Sequence, residues 1–299
     1  MQNRFRCGRF DLDMDAGARP LVMGILNVTP DSFSDGGQFA ALDAALSHAE
    51  QMLEAGVDII DIGGESSRPG APAVSIETEL ARIMPVLYAL RDCGKPLSID
   101  TCKPEVMRQA LAAGADMIND IRGFQEEGAL AAVKDSDCGL CIMHMQNLPR
   151  TMQAAPQYTD VVAEVIQFLR QRVDTLTAGG VERVRLSIDP GFGFGKTLAH
   201  NLALIHDLQR IADALGLPLL AGVSRKNMIG EITGQPQGQR MAGSVAAALA
   251  CVVNGARLVR VHDVAETVDA LAVWRALAPG ITLDQSLNKQ SETGSLNDT

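Results

Sequence analysis

The sequence has no surplus of positive charge: 26 Lys and Arg stand against 36 Asp and Glu, a formal net charge of −10. A general nucleic-acid or membrane-surface binder would show a basic stripe. Both classes are excluded, although an anionic ligand held by a few local cations is not. No apolar run approaches the ~18–20 residues of a membrane span. No apolar stretch of signal-peptide length follows Met1 to Arg6, so a cytoplasmic protein is expected. Six cysteines are scattered at positions 7, 93, 102, 138, 141 and 251, which is no disulfide framework. Cys138 and Cys141 form a lone C-x-x-C. Zinc needs about four ligands, and no second pair stands at matching spacing. A redox pair usually opens a helix, whereas this one runs into an apolar strand pattern that ends at His144. Both thiols are expected to be small buried hydrophobes.

Nucleotide motifs are missing as well. Gly195-Lys196-Thr197 follows glycines like the end of a phosphate-binding loop, but the position five residues before Gly195 is Pro190. Gly191, Gly193 and Gly195 are spaced two apart, which also breaks the dinucleotide pattern. No nucleophile–base pair is evident. Lys196 is expected at the surface.

What is present is a repeating unit in a chain of 299 residues, 46% of them hydrophobic. After a polar-apolar hairpin at about residues 4–20, a short apolar run, a polar or glycine-rich loop and an amphipathic helix recur eight times. The runs are Leu21–Leu26, Ile59–Ile62, Leu97–Asp100, Met117–Ile121, Leu140–Met143, Val184–Ile188, Leu219–Val223 and Leu258–Val261. Continuous apolar runs alternating with helices imply parallel strands buried on both faces. Eight units over roughly 250 residues fit a (β/α)8 TIM barrel; a doubly wound sheet is the alternative, but would show fewer units and one dominant glycine-rich first loop. Gly56, Gly94, Gly114 and Gly255 stand where helices should stop, and Pro104 suits a first helical position. One domain over residues 1–283 is expected. Residues 284–299 lack apolar periodicity and are expected to be a disordered tail.

In such a barrel, chemistry sits where strands end. In order, those ends are Asn27, Asp61, Asp100, Asn119, His144, Asp189, Ser224-Arg225-Lys226, and Arg260 with His262. Polar groups at nearly every strand end point to a site, because burying them costs unless something pairs with them. Asp100, Asn119 and Asp189 suit a flat nitrogen heterocycle with several donors and acceptors. Arg260 and His262 alternate along one strand and so face one side. With Asn27 as a possible metal-side ligand, they suit a phosphate-bearing group. Lys226 adds a mobile cation. Two βα loops, Val28–Gly37 and Gly63–Gly70, are long and rich in Gly, Pro and Ser, as lids often are.

Those loops, with Asp189-Pro190-Gly191-Phe192-Gly193-Phe194-Gly195-Lys196, Ser224-Arg225-Lys226 and Arg260-Val261-His262-Asp263, closely resemble the dihydropteroate synthase family, the sulfonamide target in folate synthesis. The resemblance runs from about residue 20 to 278. It implies condensation of 6-hydroxymethyl-7,8-dihydropterin diphosphate with 4-aminobenzoate, with release of diphosphate. By motif, Asp100, Asn119, Asp189 and Lys226 would hold the pterin. Arg260 would stack over it and meet the diphosphate with His262, and Asn27 would face a diphosphate-bound Mg2+. Phe33, Ser67, Pro69 and Phe194 would frame the 4-aminobenzoate pocket, with Asp35 and Arg68 acting from the two closing loops. Two positions depart from the family pattern. Ser67 stands where Thr is common. Asn227 stands where Ser commonly helps bind the 4-aminobenzoate carboxylate; as an N-cap, Asn could still hold a carboxylate at a helix N-terminus.

The reaction this implies is substitution at the pterin methylene, with early departure of diphosphate and attack by a weak amine nucleophile. Asp100 and Asp189 would stabilise the developing cation. Two other readings remain open: a corrinoid-linked methyltransferase on a similar barrel, and a non-catalytic pterin-binding paralogue. Arg260, His262 and the intact first loop argue against the former; retention of both loops argues against the latter. The helix Arg240–Val253 has almost no charged face, which on a barrel exterior implies a covered surface and a homodimer.

Overall fold

The computed structural model describes residues 2–15, 17–29, 37–66, 70–147, 152 and 156–277, with residues 37–40 as backbone alone. Phe33, Asp35, Ser67, Arg68, Pro69 and the expected tail lie outside the described residues.

The antiparallel hairpin β1 (Arg4–Cys7) and β2 (Phe10–Asp13) precedes eight parallel strands: β3 (Leu21–Asn27), β4 (Ile59–Gly63), β5 (Leu97–Asp100), β6 (Met117–Asp120), β7 (Gly139–Met143), β8 (Leu186–Asp189), β9 (Leu220–Ala221) and β10 (Leu258–Val261). They run β8-β7-β6-β5-β4-β3-β10-β9. A bridge between Ile188 and Leu219 brings β8 beside the start of β9 and closes the ring. The expected eight-unit barrel with an N-terminal hairpin is thus the fold.

The helices are α1 (Gly37–Glu54), α2 (Ile76–Leu90), α3 (Pro104–Ala112), α4 (Ala129–Val133), α5 (Val161–Ala178), α6 (Leu198–His206), α7 (Leu208–Leu215), α8 (Asn227–Thr233), α9 (Met241–Val253) and α10 (Val264–Leu277). Pro104 opens α3, where its missing N–H costs nothing. All four stop glycines adopt positive φ, from 77° at Gly94 to 105° at Gly255. Two details differ from the sequence reading. The sixth helix is broken at Asp207, where ψ of 15° leaves helical geometry. The seventh unit carries an extra short helix, α8, directly after Ser224-Arg225-Lys226.

Side chains alternate across each strand. Outward-facing Ile60, Ile62, Leu97, Ile99, Ile118, Leu140, Ile142, Leu186 and Ile188 are fully buried in the main core between strands and helices. Inward-facing residues at the strand starts form a second apolar cluster, Met23, Ile59, Met117, Cys141, Leu220 and Leu258. Phe5, Cys7 and Met14 belong to the same cluster, so the hairpin plugs the lower mouth. The plug fits tightly: a Cβ at Gly139 would meet the Phe5 ring at 2.7 Å. Arg9 clamps the hairpin through two 2.9 Å bonds to Asp116, whose Oδ2 also accepts Leu97 N at 3.1 Å. Cys138 and Cys141 are buried free thiols. Burial pushes both thiol pKa values up, as expected for packing groups rather than reactive ones.

Candidate active site

Above the apolar plug the barrel interior turns polar. Asp61 lies inside an isoleucine run, and its register along β4 turns it inward. It is fully buried, and a buried charge needs partners. Arg260 Nε donates to Asp61 Oδ2 at 2.6 Å, Arg260 Nη2 donates to Asp100 Oδ2 at 2.8 Å, and Asn119 Nδ2 donates to Asp61 Oδ2 at 3.2 Å. Four strands are thereby tied across the barrel. Burial works against the Arg260 charge, but Asp61 and Asp100 more than offset it and raise its pKa. Burial pushes Asp100 up to about 7, with Arg260 opposing.

Opposite stands a second charged pair. Asp189 Oδ1 accepts Gly191 N at 2.7 Å. Lys226 Nζ donates to Phe192 O at 2.5 Å and lies 4.6 Å from the centre of the Phe194 ring, an attractive cation–π arrangement. Burial pushes Lys226 down to about 8 despite Asp189, and raises Asp189 despite Lys226.

Two glycines keep the space between these groups open. A Cβ at Gly222 would stand 3.8 Å from Arg260 Cβ and Lys226 Nζ and 3.9 Å from Asp189 Oδ2. A Cβ at Gly63 would stand 3.5 Å from Asn27 Oδ1 and 3.8 Å from Asp100 Cβ. Asn27, Asp100, Asp189, Lys226 and Arg260 therefore ring one opening at the C-terminal strand ends. Two buried side-chain oxygens on neighbouring strands, Asp61 Oδ1 and its registered neighbour Ser98 Oγ, have no hydrogen-bond partner among the described residues.

The rim is fixed from behind. Ser224 Oγ lies 3.0 Å from His262 Nδ1 and accepts His262 N at 3.2 Å. Arg225, at φ 56°, donates its N–H to Ser244 Oγ at 2.8 Å and pairs with Asp263. The left-handed backbone there is held by those partners, and the middle residue of the Ser-Arg-Lys motif is structural. At the root of the second long loop, Lys103 Nζ bridges Glu65 and buried Glu79 at 2.5 Å each.

Three expectations need correction or completion. Asn227 is not an N-cap: Lys226 holds that position with extended backbone (φ −67°, ψ 161°), and Asn227 is the first helical residue. Its Oδ1 accepts from Arg240 Nη1 at 3.4 Å. Lys196 is not a surface residue; it is 3% exposed. Its ammonium reaches inward because Gly191 O (2.9 Å), Phe194 O (3.1 Å) and His144 Nδ1 (2.9 Å) take up its donors. His144 is thereby turned onto Lys196 and the edge of Phe168, apart from the strand-end ring. Asp61, a strand-end residue with no expected role, holds both Arg260 and Asn119. A lone carboxylate within Ile59-Ile60-Asp61-Ile62 was the signal. The Lys103 bridge had none, since its carboxylates come from elements far apart in sequence.

Comparison with known proteins agrees with this geometry. The profile of the pterin binding enzyme family matches residues 23–262. The dihydropteroate synthase of Neisseria meningitidis serogroup C is 50% identical over 283 residues, covering 93% of this chain and 98% of the relative. The Burkholderia cenocepacia dihydropteroate synthase, solved with 7,8-dihydropteroate, superposes with a TM-score of 0.84 at 50% identity, covering 96% of this chain and 98% of its own. The Xanthomonas albilineans enzyme, solved with 4-aminobenzoic acid, gives 0.86 at 51% identity, covering 93% and 100%. The chain belongs to the dihydropteroate synthase family, transferases of folate biosynthesis built on a pterin-binding barrel.

Proposed function

We propose that this chain joins 6-hydroxymethyl-7,8-dihydropterin diphosphate to 4-aminobenzoate, giving 7,8-dihydropteroate and diphosphate. The carrying observation is the ring of Asp61, Asp100 and Asp189 with Asn119, Lys226 and Arg260 around one glycine-lined opening. Relatives solved with 7,8-dihydropteroate and with 4-aminobenzoic acid support both ends of the reaction.

Asp100, Asn119, Asp189 and Lys226 hold the pterin edge, where alternating donors and acceptors match its ring nitrogens and carbonyl. Three carboxylates face two cations in this ring, so its field favours positive charge developing on the pterin as diphosphate departs. Arg260 on β10 and His262 just after it meet the leaving group. Phe194, with Phe33, Ser67 and Pro69 from the long loops, frames the aromatic amine. Asn227 is assigned to the same pocket, and Asp35 and Arg68 to roles on the two loops. Closure excludes water that would trap the cation.

A magnesium ion fits this arrangement. Asn27 Oδ1 lies at the mouth beside Asp100, a hard oxygen donor of the kind Mg2+ prefers. Among the described residues no cluster of three or more His, Cys, Asp or Glu could cage a metal, so the ion would be held by Asn27, diphosphate oxygens and water. When bound, it supplies charge neutralisation to the leaving group.

We infer a cytoplasmic homodimer. No described helix is long and apolar enough to cross a membrane, and all six cysteines are free thiols. Large apolar side chains are exposed along α8, α9 and α10, including Ile232 at 55%, Val253 at 66% and Val273 at 60%. Such a patch suits a second copy.

Diphosphate release tests the reaction. It should require both substrates and Mg2+. Release without 4-aminobenzoate, or transfer of a methyl group instead, contradicts the reading.

A further inference from the structure

The loop that resembles a phosphate cradle is closed around its own lysine. An ammonium has three N–H donors, and Lys196 directs them at Gly191 O, Phe194 O and His144 Nδ1, all within 3.1 Å. His144 O, at 3.5 Å, adds a weaker acceptor. No donor remains for a substrate phosphate. The site is costly for a charge: burial pushes Lys196 down to about 7, with Asp189 working the other way. Burial and the Lys196 charge together push His144 down to about 2. The imidazole is therefore neutral. With Lys196 charged, Nδ1 accepts from it and the imidazole proton sits on Nε2.

A methionine would fill the same volume without that cost, so packing alone does not account for a lysine here. The geometry of the acceptors does. Gly191 O and Phe194 O belong to one turn, and His144 ends the neighbouring strand. The staple thus fixes the curl of the loop against β7. Contacts along the loop are close: a Cβ at Gly191 would stand 1.9 Å from His144 O, and one at Gly195 would stand 2.7 Å from Gln146 O. Tyr158 Oη adds a 2.9 Å bond to Gly195 O. The other side of the same turn faces the substrates. Phe194 lies under Lys226 Nζ, and Phe192 O receives it.

We propose that Lys196 and His144 form a buried staple that positions the Phe194 wall for the aromatic amine, making Lys196 a positioning residue. The proposal rests on the assigned reaction and on Phe194 lining the amine pocket. The Lys196 charge also acts on Asp189, so His144→Leu, which keeps that charge, is the variant in which the effect falls first on the second substrate.

The test is steady-state kinetics of the full chain as wild type, Lys196→Met, His144→Leu and His144→Asn, with pterin diphosphate affinity measured by calorimetry. Asn keeps an acceptor near the Nδ1 position; Leu does not. Cutting the staple should raise the KM for 4-aminobenzoate about tenfold or more, since small misplacements near reacting groups are expensive. In His144→Leu, which leaves the Lys196 charge beside Asp189, pterin diphosphate affinity should stay within about threefold, and His144→Asn should behave like wild type. If Lys196→Met fails to fold, the two His144 variants decide alone. Indistinguishable Leu and Asn variants, an unchanged KM in folded Lys196→Met, or equal loss for both substrates in His144→Leu would overturn the staple. A wild-type chain that binds pterin diphosphate but does not consume 4-aminobenzoate would instead overturn the assigned reaction on which the proposal rests.

Discussion

At the lower mouth of the barrel the strands begin with Ile59, Met117, Leu220 and Leu258, and Phe5 and Met14 from the hairpin fill the space between them. At the upper mouth the barrel strands carry Asp61, Asp100, Asn119, Asp189 and Arg260, around space kept open by Gly63 and Gly222. The lower end gains free energy from every buried contact. The upper end holds charges at a cost. Burial raises Asp100 and lowers Lys226, which means the folded state disfavours both charged forms relative to water. Between about 7 and about 8 both charges are present and both costs are in force; the Asp100 cost is relieved as pH falls below its folded pKa, and the Lys226 cost as pH rises above its own. A ligand that pairs with these groups recovers that energy. One end supplies stability and the other spends it on binding.

The largest way to break this division is at the plug. Phe5→Ala should cost about 3–5 kcal/mol of stability, read by denaturant unfolding. The KM values of the folded fraction should stay unchanged; a selective loss of substrate affinity would mean the two ends are coupled. Next comes Gly222→Ala. The added methyl meets Arg260, Lys226 and Asp189 at ordinary contact distance, so unfolding should hardly shift. The methyl takes space needed by the pterin, and affinity should fall by about 1–3 kcal/mol, the usual cost of overpacking. A pH series of pterin diphosphate affinity sharpens the comparison further. Affinity should decline below about 7 as Asp100 takes a proton, and above about 8 as Lys226 loses one. A flat profile from 6 to 9, a range of about three units around those values, would show that neither charge matters to binding. The smallest effect is expected on the outer wall, where Val253→Asp should change stability by no more than about 0.5 kcal/mol. It should still shift sedimentation towards a monomer.

The contrast also explains what the sequence could reveal. Continuous apolar runs and helical stripes write the barrel plainly, because every strand is buried on both sides. The ring residues Asp100, Asn119, Asp189, Lys226 and Arg260 were legible because a polar group ending an apolar run is conspicuous. Asp61 was visible but unassigned; its role depends on Arg260, 199 positions away. Lys196 departs from its expected surface position for a physical reason. Its neighbours Gly193, Gly195 and Thr197 suggest an exposed loop, whereas its acceptors are main-chain carbonyls, which carry no sequence signature. Asn227 was displaced by one position because helix starts follow backbone geometry that single residues specify weakly.

The most direct measurement of the upper site is a calorimetric titration of wild type and Asp189→Asn with pterin diphosphate. Removing a buried partner charge of this kind costs about 2–5 kcal/mol of binding. Asp189→Asn should lose at least that much affinity while keeping its barrel by circular dichroism. Near-normal affinity in a folded Asp189→Asn would contradict the account, because the carboxylate facing Lys226 would then play no part in holding the substrate.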